Sequence, residues 1–175
     1  LAKTNQELNN AHSNYSDAVD ACKNQIQSFL NINGNKTVDD FHKELGKLMW
    51  DNVGMSRNKN GLCEALKKIP QLKDDFLNNV QIPGNSNAFN PEIEKAGRLL
   101  DFFELGELMA QDALDRQESC GGHFREEYQT DENEAKRNDE GFTYVAAWEY
   151  AKEKSILHKE KLEFENVTLA TRSYK

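Results

Sequence analysis

Between Asn90 and Gln117 the apolar residues recur so densely that only a helix buried on most of its circumference accommodates them. Ile93, Ala96, Leu100, Phe103, Ala110 and Leu114 form one stripe, and Leu99, Phe102, Leu105, Leu108, Met109 and Ala113 widen it. Asn90-Pro91 supplies the start, with proline at the first helical position, where its missing N–H costs nothing. Such a helix needs partners on several sides, and the rest of the sequence provides them.

Upstream, Leu8, Ala11, Tyr15, Ala18, Val19, Cys22, Ile26, Phe29 and Leu30 step by threes and fours along a helix of about eight turns. It stops at Asn31-Ile32-Asn33-Gly34-Asn35. Thr37 is the predicted N-cap of a second helix, with Asp39 and Asp40 in its first turn, Phe41, Leu45, Leu48, Met49 and Val53 on one face, and Gly54 at its end. A third carries Leu62, Ala65, Leu66, Ile69, Leu72, Phe76 and Val80. Pro70 inside it is expected to bend or split it. The pattern predicts a mostly α protein: a three- to four-helix, spectrin-repeat-like bundle over residues 1–118. Residues 119–175 follow as an irregular extension packed on the bundle or on a partner. Within it, Phe142–Tyr150 and Leu162–Leu169 alternate in strand fashion.

Composition narrows the function. A hydrophobic content of 37% against 30% charged residues suits amphipathic helices better than a doubly wound sheet. A net charge of −8, with no basic face, argues against nucleic acid as a partner. No apolar run approaches the roughly 18 residues that cross a bilayer. The three cysteines, Cys22, Cys63 and Cys120, are too widely spaced for a metal motif and fit reduced thiols in a cytoplasmic protein. The sequence opens without Met inside a helical pattern, which leads us to expect a piece of a longer protein.

Chemistry-bearing motifs are sparse. A glycine-rich dinucleotide fingerprint, a phosphate loop, HExxH and CxxC are all missing from the sequence, and we assign no catalytic, cofactor-binding or metal-ligating residue. The four histidines, His12, His42, His123 and His158, are far apart in sequence, and His12 and His42 read as solvated helix residues. His123 differs, following Gly121-Gly122 and preceding Arg125, Glu126 and Glu127. This context suits an ion-pair network or docking contact better than catalysis. A second dense spot runs from Trp50 through Met55 to Arg57, residue types that anchor interfaces, although a loop packed on its own bundle fits equally. Trp50, Arg57, His123, Arg125 and Glu126 are therefore the candidate interface residues.

Two runs carry a resemblance. HKELGKLMWDNVGMSRNKNGL (His42 to Leu62) and RLLDFFELGELMAQDALDRQESCGGHFREEY (Arg98 to Tyr128) resemble the C-terminal helical domain of succinate dehydrogenase and fumarate reductase flavoprotein subunits. Trp148 and the closing Leu162–Val167 match that family's tail in order and spacing. Where the family has an E-S-R-G-A-H-x-R-E/D-like loop, this chain reads Glu118-Ser119-Cys120-Gly121-Gly122-His123-Phe124-Arg125-Glu126. Cys120 replaces the usual arginine, so no role of that arginine carries over. The Cys-Gly-Gly form is similar to the Bacteroidetes-type bacterial branch.

The resemblance implies a whole subunit that binds FAD covalently, interconverts succinate and fumarate, and passes electrons to an iron–sulfur subunit on a membrane anchor. The subunit would then lie peripherally on the cytoplasmic face of the inner membrane. The flavin-binding and capping domains would precede this chain, FAD would belong to them, and this part alone would be inactive. Related helical domains occur in L-aspartate oxidase and adenylylsulfate reductase, but the tail with Trp148 favours the succinate/fumarate enzymes. A free-standing helical adaptor is the alternative from composition alone.

Overall fold

The computed structural model describes residues 13–85, 88–152 and 154–170. His12, and the Leu8 and Ala11 positions of the first apolar stripe, lie outside the described residues. The order is α1 (Ser13–Asn31), β1 (Lys36–Thr37), α2 (Val38–Val53), β2 (Ser56–Arg57), α3 (Lys59–Asn79), β3 (Val80–Gln81) and α4 (Pro91–Asp115). Then come β4 (Phe124–Arg125), the short α5 (Asp139–Phe142), β5 (Tyr144–Ala151) and β6 (Lys154–Lys161). This is the mostly α bundle with a short β-bearing tail that the pattern predicts.

Helix starts follow local chemistry. Thr37 and Asp40 form a reciprocal capping box on α2: the Asp40 N–H donates to Thr37 Oγ1 at 3.1 Å and the Thr37 N–H to Asp40 Oδ2 at 3.2 Å. Asn58 caps α3 by accepting from the Gly61 N–H at 2.9 Å, and Asn90 caps α4 from Glu92 at 3.1 Å. α3 is not split at Pro70 but runs unbroken through it. Pro70 is on the exposed side, where water can meet the carbonyl it leaves without a donor, while Ile69 and Phe76 clamp the helix into the core.

α4 packs against α1, α2 and α3 and is the hub of the bundle. At one end four aromatic rings interlock. Phe76 lies 6.0 Å from Phe29, 5.3 Å from Phe41 and 5.8 Å from Phe103, centroid to centroid. Fully burying each such ring contributes about 1.5–3 kcal/mol, so this cluster is a principal support of the bundle. Here β1 pairs in parallel with β3, and Gly34 crosses so close to the Asn79 carbonyl that a Cβ would overlap it. α1 contributes Phe29 to the core, whereas Tyr15 and Val19 on its stripe stay exposed.

The tail differs from expectation in one strand. β5 falls where Phe142–Tyr150 alternates, but its antiparallel partner is Lys154–Lys161, and Leu162–Leu169 is not a strand. The chain turns back at once through Lys152, at φ 58°, so pairing goes to the nearest segment rather than to the more apolar one. The hairpin is tied to α4 by Trp148 Nε1 donating to Asp112 Oδ1 at 2.8 Å and by Lys159 against Asp115 at 3.8 Å.

Candidate functional site: a two-loop seam at the end of the bundle

The two dense spots of the sequence meet. β2 and β4 pair in parallel, Ser56 opposite Phe124 and Arg57 opposite Arg125, and the Glu126 N–H donates to the Arg57 carbonyl at 2.9 Å. Side chains fasten the same join. Glu126 accepts from Ser56 Oγ at 3.1 Å and from Asn58 Nδ2 at 2.9 Å, and Glu127 accepts from the Lys59 N–H. About seventy residues of sequence, enclosing α3 and α4, are thereby closed into one loop whose ends form a single surface feature.

Arg125 occupies the interior of this seam. Its side chain is 2% exposed. Nη1 donates to the carbonyls of Ala113 at 2.8 Å and Leu114 at 3.3 Å, which are among those left without helical partners at the C-terminus of α4. Nε donates to Glu127 at 3.2 Å. Burial raises the Glu127 pKa, but the Lys59 amide and the Arg125 guanidinium outweigh it and leave the carboxyl below its usual range. Arg125 is thus a cap of the bundle, and it reaches any docking surface only through the loop it holds.

Beside it, Arg116 grips the buried Glu118 at 2.6 Å, and Glu118 accepts the Asn138 N–H at 2.7 Å. His123 is half-buried, with Nε2 donating to the Arg116 carbonyl at 2.9 Å. Burial pushes its pKa down, the carbonyl bond opposes this, and Arg57, Arg116 and Arg125 add repulsion. At neutral pH the imidazole is therefore the uncharged member of a cationic neighbourhood.

Trp50 is 82% exposed and Met55 78%, a bare apolar pair at the end of α2 just before the seam. Arg57 is partly buried and Glu126 exposed. The five candidate residues therefore lie on the two joined segments, Trp50 outermost and Arg125 innermost. Sequence reasoning missed the bridging roles of Ser56, Asn58 and Glu127. Of these only Asn58 carried a signal, as a helix N-cap ahead of Gly61. His42, elsewhere on α2, is exposed and stacks on Phe102 at 5.6 Å.

A flavin site does not fit these residues. Dinucleotide folds present a glycine turn between a parallel strand and an open helix N-terminus. Here the parallel ladders are two residues long, and α2, α3 and α4 begin under Thr37, Asn58 and Asn90 caps. Among the described residues no cluster of three or more potential metal ligands occurs, and no helix is long and apolar enough to cross a membrane.

The fold is a helical bundle closed at one end by an arginine-bearing loop and extended by a β-hairpin. The chain belongs to the family described as fumarate reductase flavoprotein C-term, whose sequence model matches residues 42–174. Relatives include a FAD-dependent oxidoreductase of Methanocaldococcus jannaschii, 28% identical over 134 residues, covering 77% of this chain and 23% of that protein. The fumarate reductase flavoprotein subunit of Haemophilus influenzae is 27% identical over 115 residues, 63% of this chain and 19% of that protein. The chain thus spans under a quarter of the length of these curated relatives. Among solved structures, E. coli quinol fumarate reductase FrdA superposes with TM-score 0.76 at 21% identity, covering 94% of this chain and 27% of that one. Mycobacterium smegmatis Sdh1 gives 0.71 at 23%, covering 85% and 24%. At these identities the superpositions establish the fold, in agreement with the family match.

Proposed function

We propose that this chain is the scaffold and subunit-docking domain of an FAD-containing succinate dehydrogenase or fumarate reductase subunit. In the whole protein the flavin supplies the two-electron chemistry of succinate–fumarate interconversion. The residues of this chain pack against the upstream flavin-binding and capping domains and dock the iron–sulfur subunit. The bundle of residues 1–118 is the buttress, and the extension of residues 119–175 completes its docking end. A membrane is reached only through an anchor subunit, with the complex on the cytoplasmic face of the inner membrane. The Cys120-Gly121-Gly122 sequence supports assignment to the Bacteroidetes-type branch.

The observation carrying this reading is the β2–β4 seam, which brings Arg57 together with Arg125 and the loop bearing His123 and Glu126, with Trp50 at the end of α2 and Met55 bare just before it in the chain. Trp and Arg are the residue types most enriched in interface hot spots. The test is Trp50→Ala in the full-length subunit, with co-purification of the iron–sulfur subunit as readout. Loss of the complex with flavin content retained is expected. Unchanged assembly and electron transfer would refute the docking role.

A further inference from the structure

Most arginines around the seam are matched by a carboxylate. Arg116 holds Glu118 at 2.6 Å, and Arg125 holds Glu127 at 3.2 Å besides two helix-end carbonyls. Arg57 breaks the pattern. It is the register partner of Arg125, so the two side chains leave the ribbon on the same side. Its Nε donates to the Gly54 carbonyl at 2.9 Å, and among the described residues no carboxylate forms an ion pair with it. The guanidinium fork is otherwise unspent. Burial and the neighbouring Arg125 both weigh against its charge. The acid that offsets them, Asp112, is held by Trp148 Nε1. The unbonded terminal nitrogens of this partly buried guanidinium are not shut away from solvent, so the fork is open to an acceptor from outside the chain.

We propose that Arg57 is half of an ion pair whose other half is a side-chain carboxylate on an adjoining protein segment laid over the β2–β4 seam. This rests on the docking reading above and specifies its chemistry. One unmatched cation calls for one negative charge. Planar carboxylate is the group that the guanidinium fork binds in two parallel bonds. A phosphate dianion would bring a second negative charge close to Glu126 and Glu127 on the same loop. His123, facing Arg57, Arg116 and Arg125, would sense the arrival, because an added anion favours its protonated form. Carboxylate binding and His123 protonation are therefore linked, each strengthening the other.

The chain with 15N-labelled arginine and histidine, titrated with sodium acetate against sodium chloride at constant ionic strength, tests this. A saturable shift of the Arg57 Nε resonance and a rise in the His123 pKa are expected with acetate alone, and inorganic phosphate should bind no tighter. Arg57→Gln should abolish both responses, and Arg57→Lys, which keeps the charge and loses the fork, should weaken binding about tenfold. Circular dichroism verifies that both variants fold. Equal responses to acetate and chloride, an unaltered acetate response in Arg57→Gln, or tighter phosphate binding would each overturn the proposal. Failure here with Trp50→Ala still blocking assembly removes only the carboxylate chemistry. Acetate binding with Trp50→Ala assembling normally removes the docking reading instead.

Discussion

Ser119 Oγ is bonded to both polar groups of the Arg125 backbone, accepting its N–H at 2.8 Å and donating to its carbonyl at 3.1 Å. Both residues are interior, Ser119 at 0% and Arg125 at 2% exposure. One hydroxyl thus closes the 119–125 loop and aims the guanidinium at the end of α4. α4, the loop and, through β2–β4, the α2–α3 connection become one mechanical unit.

Ser119→Ala leaves the buried Arg125 N–H without its partner, while the Arg125 carbonyl keeps the Tyr128 N–H at 2.8 Å, and should cost about 1–3 kcal/mol. Arg125→Met keeps much of the volume but strips the α4 carbonyls of their donor, and a loss of about 3 kcal/mol is expected. Urea unfolding followed by circular dichroism reads both. Losses under half a kcal/mol would show the seam to be peripheral to stability.

Gly34 and Gly46 should respond in opposite directions to alanine. At Gly34 a Cβ meets the Asn79 backbone carbonyl, which has no flexible end to yield, and a loss of about 1–3 kcal/mol is expected. Gly46 is an exposed α2 position with open space around it, so alanine should add up to about 1 kcal/mol through helix propensity. Thermal unfolding midpoints distinguish the two.

Trp148→Phe deletes the bond to Asp112 while keeping most of the apolar bulk. The hairpin should loosen without global unfolding. Faster proteolysis within residues 144–161 at an unchanged urea midpoint for the helices is the expected result.

His123 sets a pH dependence whose sign follows from its depressed pKa. The unfolded chain takes up this proton at higher pH than the folded one. Stability therefore falls as pH drops through about 6.5 and stops falling, for this group, below the folded value. Asp40 and Glu127, whose pKa values are also lowered, act in the same direction but only below the ordinary carboxylate range. Stability of wild type minus His123→Gln, measured from pH 8 down to about 5, isolates the histidine. A flat difference would contradict the assignment.

The helices were legible because burial repeats every three or four residues and caps are local: Thr37 with Asp39 and Asp40, and Asn90 with Pro91. The seam was legible only in its parts. A parallel ladder of two residues leaves no periodicity, and joining Arg57 to Arg125 depends on the path of α3 and α4 between them. Arg125 gave no sign of being buried, because a helix-end carbonyl acceptor is invisible in sequence. Lys154–Lys161 escaped notice for a different reason. Its pairing comes from the turn at Lys152, whereas Leu162–Leu169 offered the better alternation and had no neighbour to pair with.

Amide hydrogen exchange of the full-length subunit, free and bound to the iron–sulfur subunit, tests the central claim most directly. The docking account predicts that residues 50–58 and 119–127 gain protection together on binding, while Arg125→Met abolishes the gain in both. Protection elsewhere in the subunit with these two segments unchanged would contradict it.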